Sequence, residues 1–144
     1  MALSTTSSKR PKGQFVISMC SQPPTKVLSW WLSYRAKWGL PVTERPPADQ
    51  WCLLWDKNDI VAAAGETFDL RHNTIKLTDF LAEPSRRGVR ALDEMLAMYV
   101  ELVVHGSLAC VGGDAIAGNK SIQRRCRKAG FEHYSSTFLV GRPD

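Results

Sequence analysis

Residues 50–83 carry the pattern that most restricts the fold, because three apolar stretches are joined there by turns long enough only for reversal. Residues 50–56 (QWCLLWD) read as a strand. Lys57, Asn58 and Asp59 read as a hairpin turn into residues 60–68, and residues 70–73 as a second turn before residues 74–83. Strands linked so tightly pair antiparallel, since a parallel neighbour needs a crossover of a dozen or more residues. Pro84 ends the third strand. The middle of the chain is therefore expected to be an antiparallel meander.

A crossover follows directly. Residues 89–105 place Val89, Leu92, Leu96, Tyr99, Val100 and Val103 at helical intervals, Gly106 closes the helix, and residues 107–111 read as a short buried strand. Strand, helix and strand make a parallel unit with a right-handed connection. Upstream, residues 14–20 read as a first strand. A turn at Pro23-Pro24 opens a helix over residues 26–38, with Leu28, Trp31, Leu32 and Trp38 on its apolar face, Trp30 and Tyr34 beside them, and Gly39 as the stop. Core packing and an exposed aromatic patch for a protein partner are both open for Trp30, Trp31 and Trp38. A Pro-rich connector spans residues 43–48. Gly112-Gly113 reads as a break, and residues 134–140 as a final strand.

The resulting order, β-α-β-β-β-α-β-α-β, is an α/β (α+β) arrangement with a mixed sheet of about six strands and three to four helices. A chain of 144 residues, 44% hydrophobic, can bury a real core. One domain is expected over residues 14–144, preceded by a flexible basic tail, MALSTTSSKRPKG, over residues 1–13.

Residues 119–131 (NKSIQRRCRKAGF) combine a helix start, an apolar stripe, a basic face and a glycine stop. Asn119 can cap the helix and Gly130 can end it. Ile122, Cys126 and Ala129 share one side, while Lys120, Arg124, Arg125, Arg127 and Lys128 occupy the rest. This order of Asn119, Ile122, Cys126, Lys128 and Gly130-Phe131 resembles the last helix of the GNAT N-acetyltransferases, and the element order of residues 15–140 is similar to that family's. The likeness is to small, divergent members of bacterial or bacteriophage type. It implies a GNAT fold, acetyl-CoA as cofactor and transfer of an acetyl group to an amine on a small molecule or protein.

Within that resemblance the junction at residues 84–88 (PSRRG) corresponds to the family's pyrophosphate loop, Q/R-x-x-G-x-G/A. Helix N-termini suit anions because their first N–H groups lack intrahelical partners and the helix dipole is positive there. Arg86, Arg87 and Arg90 would strengthen such a site. If Gly88 is the first glycine, Ser85 replaces Gln or Arg, and Arg90 stands where a small residue is usual, unless Ala91 serves after a one-residue shift. The resemblance thus implies cofactor contacts from Leu81, Ala82, Arg86, Arg87, Gly88, Val89, Arg90 and Ala91, with Asn119 either on the pantetheine arm or ordering the start of the final helix, and the charges of Lys120, Arg124, Arg127 and Lys128 could meet the 3′-phosphate.

Acetyl transfer needs a neutral amine, a stabilised oxyanion and a proton for the departing thiolate. Asp79 and Glu83 are the candidate bases. Period two puts them on one face with Ile75, Leu77 and Leu81, where desolvation would raise a carboxyl pKa. Glu66 and Asp69 are weaker choices. The family's acidic tyrosine position holds Cys126, which is either a proton donor or a small apolar packing residue, and Tyr134 is a substitute acid.

Nineteen Lys plus Arg against fourteen Asp plus Glu give a formal charge of +5, which favours an anionic ligand. Charge alone does not argue for nucleic acid, because no base-reading or stacking groups accompany it. His72, His105 and His133 show no metal-ligand spacing. Cys20, Cys52, Cys110 and Cys126 form no C-x-x-C pair, no leader is evident, and no apolar run approaches the roughly 20 residues of a membrane span. The expectation is a cytoplasmic protein, in a host's cytoplasm if viral. A second copy could pair on an exposed edge of the last strand. The alternative function is a catalytically eroded GNAT-fold module that binds and modulates a partner enzyme.

Overall fold

Among the described residues seven strands and three helices follow in the order β1 (Val16–Cys20), α1 (Thr25–Trp38), β2 (Gln50–Asp56), β3 (Asp59–Asp69), β4 (Thr74–Ala82), α2 (Arg86–Val104), β5 (Cys110–Asp114), α3 (Lys120–Ala129), β6 (Glu132–Tyr134) and β7 (Thr137–Gly141). This computed structural model describes residues 15–114, 119–134 and 137–141, so the expected tail over residues 1–13 lies outside the described residues. The chain divides into two units, Met1–Glu66 with Asp79–Leu92, and Thr67–Thr78 with Asp93–Asp144. No helix among the described residues is long and apolar enough to cross a membrane.

In the first unit β2 pairs antiparallel with β3, as the short turn between them implied, and β1 adds antiparallel to the other side of β2, with Cys20 opposite Trp51 and Trp51 opposite Gly65. The amide of Glu83, just beyond β4, donates to the Val61 carbonyl at 3.0 Å. Lys57 turns the β2–β3 hairpin with a φ of 57°. Ala62, Ala63 and Ala64 are fully enclosed, and their small side chains let neighbouring layers approach β3 closely. The core joins Val27 and Trp31 of α1 to Trp51, Leu53, Ile60, Ala63 and Leu81.

Trp31 is only 1% exposed, so it belongs to the core, and Trp30 packs against that core. Trp38 is half-buried, with its ring 6.4 Å from Tyr34. The expected face is rotated, because Val27 rather than Leu32 pairs with Trp31 one turn on, leaving Leu32 exposed. Gly39 ends the helix at φ 63°, a left-handed conformation that glycine adopts without Cβ strain.

In the second unit the start of β4 runs parallel to β5, from Thr74 opposite Cys110 to Leu77 opposite Gly113. The fifth strand sits later than residues 107–111, and Gly112-Gly113 lies inside it rather than breaking the chain. A Cβ at Gly113 would come within 2.9 Å of the Leu77 carbonyl oxygen, so the glycine permits close strand approach. Asn73, at φ 53°, donates from Nδ2 to the Ser107 carbonyl at 3.1 Å, and its own carbonyl accepts from the Ala109 amide at 2.9 Å. These bonds tie the β3–β4 turn to the entry of β5.

The single final strand expected over residues 134–140 is a hairpin, β6 against β7, which raises the count from about six strands to seven. β7 pairs with β5 on its other side, so the last strand is not the open edge that was expected to receive a second copy. α2 begins at Arg86, three residues earlier than its apolar period suggested, and buries Ala91, Met95, Leu96, Met98, Tyr99 and Val103. α3 behaves as read. Asn119 Oδ1 accepts from the Ile122 amide at 3.4 Å, and Gly130 closes the helix at φ 112°.

Candidate functional site

The early start of α2 changes the chemistry of the β4–α2 junction. Arg86, Arg87 and Gly88 form the first helical turn, and Ser85 caps it: its hydroxyl oxygen accepts from the Gly88 amide at 3.2 Å, and its carbonyl accepts from the Val89 amide at 3.1 Å. The same hydroxyl donates to Glu83 Oε2. Ser85 is thus the helix cap at the position where a Gln or Arg was sought. A Cβ on Gly88 would lie 1.9 Å from the Glu83 carbonyl oxygen, so the chain path itself requires glycine there.

Arg87 is the centre of a carboxylate cluster. Its Nε and one terminal nitrogen donate to the two oxygens of Glu83, each at 2.8 Å, in a bidentate fork. Its terminal nitrogens also reach Asp56 Oδ2 at 3.1 Å and Asp59 Oδ2 at 3.3 Å, at the two ends of the β2–β3 hairpin turn. Lys26 of α1 stands 4.0 Å from Glu83. Three carboxylates therefore face two cations within the cluster. Arg86 and Arg90 are exposed outside it, and Val89 is 37% exposed.

Glu83 had been expected to titrate high on a leucine-lined face. The reverse holds: hydrogen bonds from Arg87 first, and from Ser85, hold its carboxyl down to about 2. A carboxylate so paired is a poor proton acceptor near neutral pH. Arg87 is correspondingly held still more firmly protonated, chiefly by Glu83.

Of the remaining positions in the first unit, Asp79 is buried within β4 at 8% exposure. Leu81 and Ala91 are enclosed, so the small size of Ala91 serves packing. Ala82 is half-buried. Glu66 is buried and accepts from Gln50 Nε2 at 2.7 Å, whereas Asp69, assigned to the second unit, pairs with His72 in the exposed turn after β3. A groove of about 470 Å³ lies between the β1–α1 turn at Gln22-Pro23 and the connector at Arg45-Pro46-Pro47, lined also by Trp51.

The second unit holds Asn119, Cys126, Lys128 and Tyr134. Cys126 is buried on the α3 stripe, and burial pushes its thiol up to about 11 against a smaller opposing effect of Arg127. The arginines near it in sequence therefore do not produce a lowered pKa. Arg125 turns to Asp93 of α2, with contacts of 2.9 and 2.8 Å, while Lys120, Arg124, Arg127 and Lys128 are exposed. Tyr134 ends β6 opposite Thr137, and its side chain lies outside the described residues. Sequence reasoning missed Asp56, Asp59 and Lys26. Only the spacing of Glu83 and Arg87, four residues apart, hinted at the cluster.

Comparison with solved structures identifies the architecture. A proposed acyl-CoA N-acyltransferase from Klebsiella pneumoniae matches 88% of this chain and 97% of its own, with a TM-score of 0.67 at 8% identity. A GNAT-family acetyltransferase from Staphylococcus aureus matches 88% and 99%, with a TM-score of 0.64 at 13% identity. A spermidine N-acetyltransferase variant from Vibrio cholerae matches 64% and 63%, with a TM-score of 0.55 at 7% identity. No family profile matches the sequence, and no curated protein sequence matches it. The chain has the GNAT fold.

Proposed function

We propose that the protein is an acyl-CoA-dependent N-acyltransferase with an amine acceptor. The observation that carries this reading is the parallel β4-α2-β5 unit of a GNAT fold, in which the β4–β5 ladder among the described residues runs from Thr74 and Cys110 to Leu77 and Gly113 while β4 continues to Ala82. The strand beyond that ladder offers main-chain groups to a pantetheine arm. Thr78 Oγ1, buried with no hydrogen-bond partner among the described residues, supports a polar occupant. Coenzyme phosphates are assigned to Arg86, Arg90 and the first turn of α2, and the acceptor to the groove beside Arg45 and Trp51.

Asp79 is the better base of the two carboxylates proposed on the sequence, because Glu83 is held ionised in its cluster. Cys126 is a poor acid. Moving its proton, at about 11, to a thiolate of ordinary pKa near 8.5 is uphill by about 3 kcal/mol. Tyr134 is the remaining donor.

Calorimetric titration of the full chain with acetyl-CoA, and thiol release against a panel of amines, test the reading. Micromolar binding with amine-dependent release supports it; absence of binding overturns it. A second reading, a GNAT-fold module that binds a partner enzyme, is favoured by the ion-paired state of Glu83 and the raised thiol of Cys126. It predicts no amine-dependent release and recovery of a stoichiometric partner.

A further inference from the structure

The cluster around Arg87 joins segments that lie far apart in sequence but within one unit. The guanidinium meets Glu83 before the turn and Asp56 and Asp59 on the hairpin, while Ser85 links Glu83 Oε2 to the Gly88 amide. We propose that Arg87 is a positioning residue, a clamp through which the charges of Asp56 and Asp59 fix the conformation of the α2 N-terminus. The chain of contacts is continuous: hairpin carboxylates, guanidinium, Glu83 carboxylate, Ser85 hydroxyl, Gly88 amide. Each link is directional and charge-assisted except the last, which is an ordinary capping bond.

Geometry gives the clamp its leverage. Gly88 is buried and stands so close to the Glu83 carbonyl that the turn has little alternative packing, and Glu83 is fixed at both carboxylate oxygens. Arg87 is thereby engaged within the protein, leaving exposed Arg86 and Arg90 as the turn's outward cations. Under the acyl-CoA reading, on which this consequence alone rests, the hairpin controls coenzyme affinity without touching the coenzyme.

The test uses amide NMR of the full chain and titration with CoA, for wild type, Arg87→Gln, Arg87→Lys and the double variant Asp56→Asn, Asp59→Asn. The clamp predicts that the Gly88 amide resonance moves in both Arg87→Gln and the double variant and is only partly restored in Arg87→Lys. It also predicts that Glu83 titrates nearer the ordinary carboxyl range in Arg87→Gln. With CoA as probe, the double variant binds roughly tenfold more weakly despite two fewer negative charges, the scale of one lost hydrogen-bonded contact. An unmoved Gly88 resonance in the double variant, or tighter CoA binding by it, overturns the clamp. The double variant retains the Arg87–Glu83 fork and so covers the case in which Arg87→Gln does not fold. If wild type binds no CoA, the coenzyme reading fails by itself, and the clamp is decided by the Gly88 resonance.

Discussion

The two basic segments, residues 86–90 and residues 120–128, look alike as strings of Arg and Lys near a helix, yet their charges do different work. In the first, the central arginine is held by three carboxylates and organises backbone; in the second, Arg125 is tied to another helix through Asp93, and Lys120, Arg124 and Lys128 lie on the exposed side. A bidentate guanidinium with several partners fixes geometry, whereas a solvated cation contributes mainly to potential. The contrast teaches that cation count near a helix start does not measure anion affinity.

The largest expected effect that would break this comparison comes from Gly88→Ala. With a Cβ placed 1.9 Å from the Glu83 carbonyl oxygen, the turn must shift, and a loss of about 2 kcal/mol in unfolding free energy is expected by chemical denaturation. Unchanged stability would mean that the turn is loose and that the wiring around Arg87 does not constrain it.

The next effect is set by pH. Glu83 titrates at about 2 in the folded protein against an ordinary 4.5, so its pairing stabilises the fold fully above 4.5 and fades as pH falls toward 2. Arg87→Gln should therefore be less stable than wild type at neutral pH, with the gap closing across that interval in denaturation curves. A gap that stays constant down to pH 2 would remove the ion pair as its cause.

On the second segment the expected loss is smaller. Asn119→Ala removes the side-chain acceptor for the Ile122 amide, a change that typically costs about 1 kcal/mol, and the long 3.4 Å contact argues for the lower part of that range. Thermal or denaturant unfolding reads it directly, and a loss as large as that of Gly88→Ala would erase the distinction between the two segments.

The sequence spoke most clearly where local rules act alone. The meander followed from turns too short for a crossover, and Asn119 and Gly130 bracketed α3 because caps are short-range devices. Boundaries failed where glycine had two meanings. Gly112-Gly113 looked like a break, but close approach to Leu77 demands a missing Cβ inside β5. At the candidate site the position of Arg87 was visible, and its partners were not, since Asp56 and Asp59 meet it only through the register of the β2–β3 hairpin. The same limit applies to Glu83: a period-two face indicated desolvation, while the ionic partners that reverse the shift, Arg87 and Lys26, come from two separate helices.

The smallest effect on stability is expected for Arg124→Gln and Lys128→Gln, and it is the most informative about function. Both side chains are exposed, so each substitution should change unfolding free energy by no more than about 0.5 kcal/mol. Their influence on a coenzyme is a separate quantity. A distributed potential weakens binding slightly for each charge removed, and the loss shrinks as salt rises, because exposed charges are screened over about 10 Å at 0.1 M ionic strength. A direct contact from Lys128 to the 3′-phosphate would instead make CoA lose affinity to Lys128→Gln while dephospho-CoA does not. Titrating both ligands against both variants at two salt concentrations separates these cases: equal, salt-sensitive losses keep the helix as a source of potential, and a loss confined to CoA and Lys128 turns one residue of the wet face into a ligand contact.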